Sequence, residues 1–257
     1  QYDLSDQLKD NAQVSIITIQ SEEGLEIMRH TLTAQVLARA IKNLYPKSKL
    51  AIGPTIEDGF YYDVESEEVI SSDDLIKIED EMKNIIKTKS LLTKKLVSKS
   101  EALKIFKEKK EPFKETIINE SNQKNDFQLY YQDNEEFVDL CRGPHLPNLG
   151  FIGSFKLTKV SGAYWKGDSK NTMLTRIYGT AFNSDKDLQK HLNEVEEALK
   201  RDHRKLGREM DLFHFQDEAP GMVFWHPKGW TIYRQLRNFV RKKLQDNNYI
   251  EVNTPQV

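Results

Sequence analysis

Cys141 and His145 stand four residues apart, on either side of an Arg-Gly-Pro stretch. That spacing lets a soft sulfur and an imidazole point at one centre, either as metal ligands or as polar walls of a pocket. Two donors do not complete a zinc site, and His30, far upstream, is the candidate for a third. Lys114, Asp139, Asp168 and Arg176 complete the set of groups whose charge could serve chemistry. Plainer readings compete. A lone histidine on a helix is more often a surface or core residue, Cys141 a small buried hydrophobe, Gly143-Pro144 a turn, and Tyr164-Trp165 core. The glycines of SGAYWKGDS are too loosely arranged for a nucleotide-binding fingerprint, and no Walker pattern occurs.

The chain that must position these groups has 257 residues, 38% of them hydrophobic and 10% aromatic, enough to bury a real core and to divide into more than one unit. No run of eighteen apolar residues occurs and the first ten residues are polar and acidic, so neither a membrane span nor a secretory signal is predicted and a cytoplasmic location is expected. A single cysteine makes no internal disulfide. Net charge is −2, but it is segregated: eleven lysines between Lys83 and Lys114 meet only Glu101, Glu108 and Glu111. A second basic cluster, Lys200, Arg201, Arg204, Lys205 and Arg208, is opposed along the sequence only by Asp202. Such local excess attracts phosphates, with affinity falling as salt rises, although lysine-rich helices are usually just solvated faces.

Hydrophobic periodicity supplies the elements. Val14 to Ile19 reads as a strand. A helix runs from Glu22 to Pro46 with Leu25, Met28, Leu32, Val36, Leu37, Ala40, Ile41 and Leu44 on one side. Residues 49–64 read as strand, turn and strand around Gly53-Pro54 and Asp58-Gly59. Ser72 caps one helix, and Ser98 with Glu101 forms a capping box for another, with the LLTKKLV strand between them. The aromatic, glycine-rich stretch from Phe127 to Phe182 predicts antiparallel sheet. Ser184 with Asp187 opens a long connecting helix. A turn-rich aromatic segment, a helix from Thr231 to about Asn247 and a β-branched run from Tyr249 to Thr254 follow. The fold class expected is α+β, an antiparallel sheet with packed helices, joined by the long helix to the start of another domain.

LEIMRH, AIGPTIEDGFYYDV, VDLCRGPH, GAYWKGDSKNTMLTRIYGTAF, KRDHRKLGREMDLFHFQDEAPGMVFWHPKGWTIYRQL and YIEVNTPQV resemble, in that order, the bacterial threonyl-tRNA synthetases. The resemblance spans nearly the whole chain. It implies an N-terminal fragment in which residues 1–20 end a TGS-type β domain, 21–190 form an editing domain that hydrolyses mischarged seryl-tRNA, 191–210 form a linker helix, and 211–257 begin a class II catalytic domain. Pro255 would then be the motif 1 proline at the family's dimer interface. ATP, Mg²⁺ and a catalytic zinc would belong to the ligase domain beyond Val257, with tRNA, threonine and ATP as partners, a homodimer for the full-length protein and no membrane. No cofactor is expected in the covered region. The family's editing pocket is lined by a His-x-x-x-His helix, a Cys-x-x-x-His loop, an Asp two residues before the Cys and a separate Lys. The resemblance therefore implies catalytic roles for Lys114, His145 and His30, and substrate contacts for Asp139, Cys141, Tyr62 and Gln35, with Tyr61 a weaker match. Lys200, Arg201, Arg204 and Lys205 would meet the tRNA acceptor arm. Relatives that edit alanine with a similar ligand set bind zinc, whereas the threonyl family is thought to edit without metal.

The helix motif departs from the pattern. In RHTLTAQVLARA the best match to the second histidine is Gln35, five residues after His30. Positions four apart on a regular helix lie about 40° from each other, but positions five apart lie about 140° apart. A helix bulge would absorb the extra residue. Glutamine positions a water but takes up no proton near neutral pH, so editing is expected to be reduced or re-tuned. Two alternatives stay open: a zinc-dependent hydrolase using His30, Cys141 and His145, and a tRNA-binding module whose pocket has decayed.

Overall fold

The computed structural model describes residues 1–7, 11, 13–133 and 137–254. These form two compact units, Gln1–Gln189 and Lys190–Val257. The first is an α+β unit built on two antiparallel sheets. In one, β1 (Lys49–Leu50), β3 (Gly59–Glu65), β8 (Met173–Phe182) and β7 (Ser154–Tyr164) lie in that order, with β2 (Thr55–Ile56) also pairing β3. The other holds β4 (Leu92–Val97), β5 (Phe127–Gln132) and β6 (Phe137–Leu140).

The first helix, α1 (Glu22–Thr31), starts where the Ser21 side chain accepts the Gly24 N–H, with Glu22 and Glu23 in the first turn and Arg29 and His30 in the last. That charge order suits the helix dipole. Arg29 is buried and ties the helix to the larger sheet: Nε donates to the Ala181 carbonyl at 3.0 Å and Nη1 to the Glu57 carbonyl at 2.7 Å. The expected continuous helix is interrupted. Leu32–Leu37 is a π-turn, in which the Ala38 N–H donates to the Thr33 carbonyl five residues back, before α2 (Ala38–Leu44) resumes α geometry. Thr31 and Thr33 each donate a hydroxyl to a carbonyl four residues earlier, the back-bonding that loosens helices. A turn closed over five residues brings residues five apart along one side, as an α-turn does for residues four apart.

Helix α3 (Leu75–Lys87) follows a 3-10 turn at Ser72–Asp74 whose capping box uses Ser71 and Asp74, one residue earlier than the sequence suggested. It joins α1, the π-turn and α2 over the larger sheet, where Met28, Leu32, Val36, Leu37, Ile78, Met82, Phe60, Leu157 and Ile177 make the main core. A second core lies between the smaller sheet and α4 (Lys99–Glu108) and α5 (Pro112–Glu120), with Phe106, Ile118, Leu129 and Val138 at its centre. Strand alternation then assigns the other face of β5 and β6 to Tyr130, Gln132, Phe137 and Asp139, since Tyr130 opposes Asp139 and Gln132 opposes Phe137. All four are buried, so one face of this hairpin is apolar and the other carries buried polar groups.

In the second unit the expected single linker helix is broken. α6 (Asp185–Lys200), within which the unit boundary falls, stops at Arg201, and Asp202 caps a separate α7 (His203–Glu209) by accepting the Arg204 N–H. A short hairpin, β9 (Phe213–His214) with β10 (Phe224–Trp225), precedes α8 (Pro227–Asp246). Two expected strands are not formed: residues 14–19 and 249–254 have no ladder partner among the described residues, and Val14, Ile16, Tyr249, Ile250 and Val252 are exposed. β propensity alone does not make a strand without an edge to pair with. Pro255 lies outside the described residues. No helix among the described residues is long and apolar enough to cross a membrane.

Candidate functional site

The last turn of α1 and the loop after β6 meet between the two sheets. There His30 Nε2 lies 2.7 Å from Cys141 Sγ, and the His30 ring stacks on His145 at 4.7 Å with the planes 6° apart. Tyr130 meets the opposite side of His145 edge-on at 4.3 Å. Gly143 makes the loop possible. Its φ is 62°, and a Cβ there would stand 2.0 Å from the Tyr130 hydroxyl, so both backbone conformation and space demand glycine. The Gly143-Pro144 peptide is cis.

Beside this cluster, Lys114 Nζ contacts Asp139 Oδ1 at 2.6 Å, with both side chains almost wholly buried. The Leu140 N–H also donates to Asp139 at 2.8 Å. Tyr62 lies under Lys114, whose ammonium is 5.9 Å from the ring centre, and its hydroxyl faces Asp139 without completing a hydrogen bond. Gln35 is fully buried on the same side of the helix as His30: its Oε1 accepts from Gln132 Nε2 at 3.0 Å, and its own Nε2 has no partner. The π-turn thus delivers both residues of the altered motif to the β5–β6 hairpin, which a regular helix would not do.

Burial dominates the electrostatics. It pushes His145 well below the ordinary imidazole range, with His30 adding to the effect, and it lowers His30, with Lys114 adding to it. Both rings are therefore neutral near pH 7. The Cys141 thiol is pushed up to about 12 by burial and stays protonated. Burial also raises the Asp139 carboxyl, opposed by the ammonium of Lys114. Open space adjoins the cluster on two sides: a cavity of about 360 Å³ lined by Lys114, Asp139, Arg39 and Glu111, and one of about 260 Å³ lined by His145, Tyr130, Lys94 and Asp3.

The three donors of His30, Cys141 and His145 lie within 4.8 Å of one another. Zinc bonds of about 2.3 Å to sulfur and 2.0–2.1 Å to nitrogen at tetrahedral angles would hold sulfur and nitrogen roughly 3.5 Å apart. The 2.7 Å between His30 and Cys141 is a hydrogen bond, and a metal would have to part them.

The chain is 50% identical over 254 residues to the threonine–tRNA ligase of Prochlorococcus marinus (strain MIT 9211), which covers 99% of this chain and 39% of that protein. It is 51% identical over 256 residues to the threonine–tRNA ligase of Bartonella tribocorum (strain CIP 105476 / IBS 506), covering 99% and 38%. The chain belongs to the threonine–tRNA ligase family. It spans about two fifths of the length of the curated relatives it matches. Within it, residues 128–178 match the family described as threonyl and alanyl tRNA synthetase second additional domain. That stretch holds Tyr130, Gln132, Asp139, Cys141 and His145, whereas His30, Tyr62 and Lys114 reach the site from outside it.

Of the charged candidates, Arg176 forms a two-pronged pair with Asp63 across β3 and β8, at 2.7 and 2.8 Å, and covers the Tyr61 ring at 3.9 Å; Asp168 accepts the Lys170 N–H in a turn. Neither pairs with the cluster. Lys200, Arg201, Arg204 and Lys205 are exposed, as a tRNA contact requires, but they are paired with Glu196, Glu197, Asp202 and Glu209. The helix brings together charges that a linear count had set apart, so Asp202 is not their only counter-charge. Several site groups carried no sequence signal of their own. Thr31, Tyr130 and Gln132 are named by strand alternation and the π-turn, and Asp3 accepts from the His145 N–H at 2.9 Å and the Tyr130 hydroxyl at 2.6 Å.

Proposed function

We propose that this chain carries the proofreading site of a threonine–tRNA ligase, where a tRNA wrongly charged with serine is hydrolysed to serine and free tRNA. The longer protein would join threonine to its tRNA with ATP, in the cytoplasm and as a homodimer. Its ligase centre, with Mg²⁺ and zinc, would lie in the part of the relatives this chain does not cover. A second site is needed because serine lacks only one methyl of threonine, a difference worth about 1–3 kcal/mol in a binding pocket.

The observation that carries the reading is the buried convergence of two neutral imidazoles, a protonated thiol and the Lys114–Asp139 pair beside open cavities. Asp139 receives the ammonium of the seryl group. Water attacks the ester carbonyl carbon and gives a proton to an imidazole, His145 being the base whose Nε2 is free. The bond to the ribose oxygen then breaks and that oxygen takes up a proton. Lys114 orients the water and offsets charge developing on the carbonyl oxygen. Cys141 and His30 shape the wall that leaves no room for the threonyl methyl, and His30 backs His145 by stacking. Gln35 offers its free amide N–H groups to water or substrate but takes up no proton, so hydrolysis is slower than in a relative with two helix histidines. The exposed cations of α6 and α7 meet phosphates of the acceptor arm.

The test is deacylation of seryl-tRNA(Thr) and threonyl-tRNA(Thr) by the purified chain. Release of serine with threonine spared supports the reading. Tight acceptor-arm binding without release would favour a decayed module. The three clustered donors keep a zinc hydrolase as a second reading, and stoichiometric zinc in the purified protein, with activity lost on chelation, would select it.

A further inference from the structure

Thr31 is absent from the motif, yet its hydroxyl makes three contacts at the centre of the site. It is fully buried. Oγ1 lies 2.8 Å from the Ile27 carbonyl, accepts the Leu146 N–H at 3.0 Å, and lies 3.1 Å from His145 Nδ1. A threonine hydroxyl has one proton and two lone pairs. The Ile27 carbonyl can only accept, so the shortest contact takes the proton. The Leu146 N–H can only donate, so it takes one lone pair. What remains for His145 is the second lone pair, and a contact there requires that Nδ1 carry the hydrogen.

The far side of the ring agrees. Nε2 of His145 is buried and has no partner. If the hydrogen sat there, it would be a buried donor with nothing to bond, which costs about 1–3 kcal/mol, whereas a lone pair in the same place is tolerated better. Both ends of the ring therefore select one tautomer.

We propose that Thr31 is a positioning residue that holds neutral His145 with its hydrogen on Nδ1, so that the Nε2 lone pair is presented to the attacking water. The role of that lone pair in ester hydrolysis rests on the proofreading function; the tautomer itself does not. This gives the helix motif a polar partner for the loop histidine at the position directly after His30, using a hydroxyl that fixes a proton rather than an imidazole that moves one.

The tautomer is read directly by ¹⁵N NMR of the whole chain labelled at histidine, at a pH where His145 is neutral. The hydrogen is expected on Nδ1 in the wild type and in Thr31→Ser, and distributed over both nitrogens in Thr31→Val. Seryl-tRNA deacylation should follow: kcat lower by at least ~10-fold in Thr31→Val with KM unchanged, and recovered in Thr31→Ser. A wild-type His145 protonated on Nε2 would overturn the proposal even if Thr31→Val fails to fold. So would a folded Thr31→Val that keeps both tautomer and kcat. If the wild-type chain binds tRNA but releases no serine, the hydrolytic reading fails while the NMR still decides the tautomer.

Discussion

Two parts of this chain concentrate charge, and they differ in what surrounds it. At Lys114, Asp139, His30, Cys141 and His145 the groups are buried and shifted by desolvation, and one ring nitrogen is left without a partner. Along α6 and α7 the charges of Lys200, Arg201, Arg204 and Lys205 lie in solvent and are matched by carboxylates one helical turn or less away. The first arrangement stores reactivity, because low dielectric makes each unmet charge or lone pair matter. The second stores very little, because water and salt already solvate it. Density of charge along a sequence therefore says less about chemistry than the burial that only tertiary structure supplies.

The sharpest way to break this contrast is to remove one half of the buried pair. Lys114→Met leaves the Asp139 carboxylate buried and uncompensated, and should cost about 3–5 kcal/mol of stability in chemical denaturation. Adding Asp139→Leu should restore part of that stability but none of the deacylation, since both groups are needed for chemistry. If the double variant is no more stable than the single one, the pair is not the isolated buried ion pair described here. Next in size is His145→Gln, which should lower the deacylation rate by about 10²–10⁴-fold, the usual worth of a positioned base. Retained activity would assign the proton transfer to another group.

Much of this site was legible in the sequence, but as separate words. Cys141, His145, Asp139, Lys114 and His30 were named by type, spacing and family resemblance, and the structure brings them within contact of one another. Thr31 and Gln35 were ambiguous because helical periodicity assumes a constant turn. A single π-turn changes the side a residue faces by more than the width of an apolar stripe. The buried polar face of β5 and β6 was visible in principle, since FQLYYQ alternates, but nothing in the alternation says which face meets a helix. Val14 to Ile19 shows the opposite failure, in which strong local preference produced no strand for want of an edge. Linear counting failed at the basic cluster for a related reason, because Glu196 and Glu197 lie outside the run yet within one turn of it.

A pH titration sharpens the same contrast at a smaller scale. His145 and His30 have folded pKa values below the ordinary 6.5, so the unfolded chain binds more protons in acid than the folded one. Stability is then complete above pH 6.5 and declines as pH falls through 6.5 toward the lower folded values. Melting temperature measured from pH 7.5 down to 5.5 should fall, and His145→Gln should flatten part of that slope. An unchanged melting temperature across this window would mean that the rings are not held neutral by burial.

The smallest effects are expected on the exposed helices, where stability and binding should separate. Lys200→Ala and Arg204→Ala remove charges that are already paired in solvent, so neither should shift the melting temperature measurably. Their consequence lies in encounter with a polyanion. If each cation exchanges its carboxylate partner for a phosphate, each substitution should weaken acceptor-arm binding and reduce the slope of log K against log salt by about one. The intramolecular pairs make this a competition: a phosphate must displace Glu197 from Lys200 and Asp202 from Arg204 before it gains a contact. Neutralising Glu197 as Glu197→Gln should therefore tighten binding at low salt, the opposite sign to the lysine and arginine variants. Equal salt slopes in all three variants would show that these helices do not touch the nucleic acid at all.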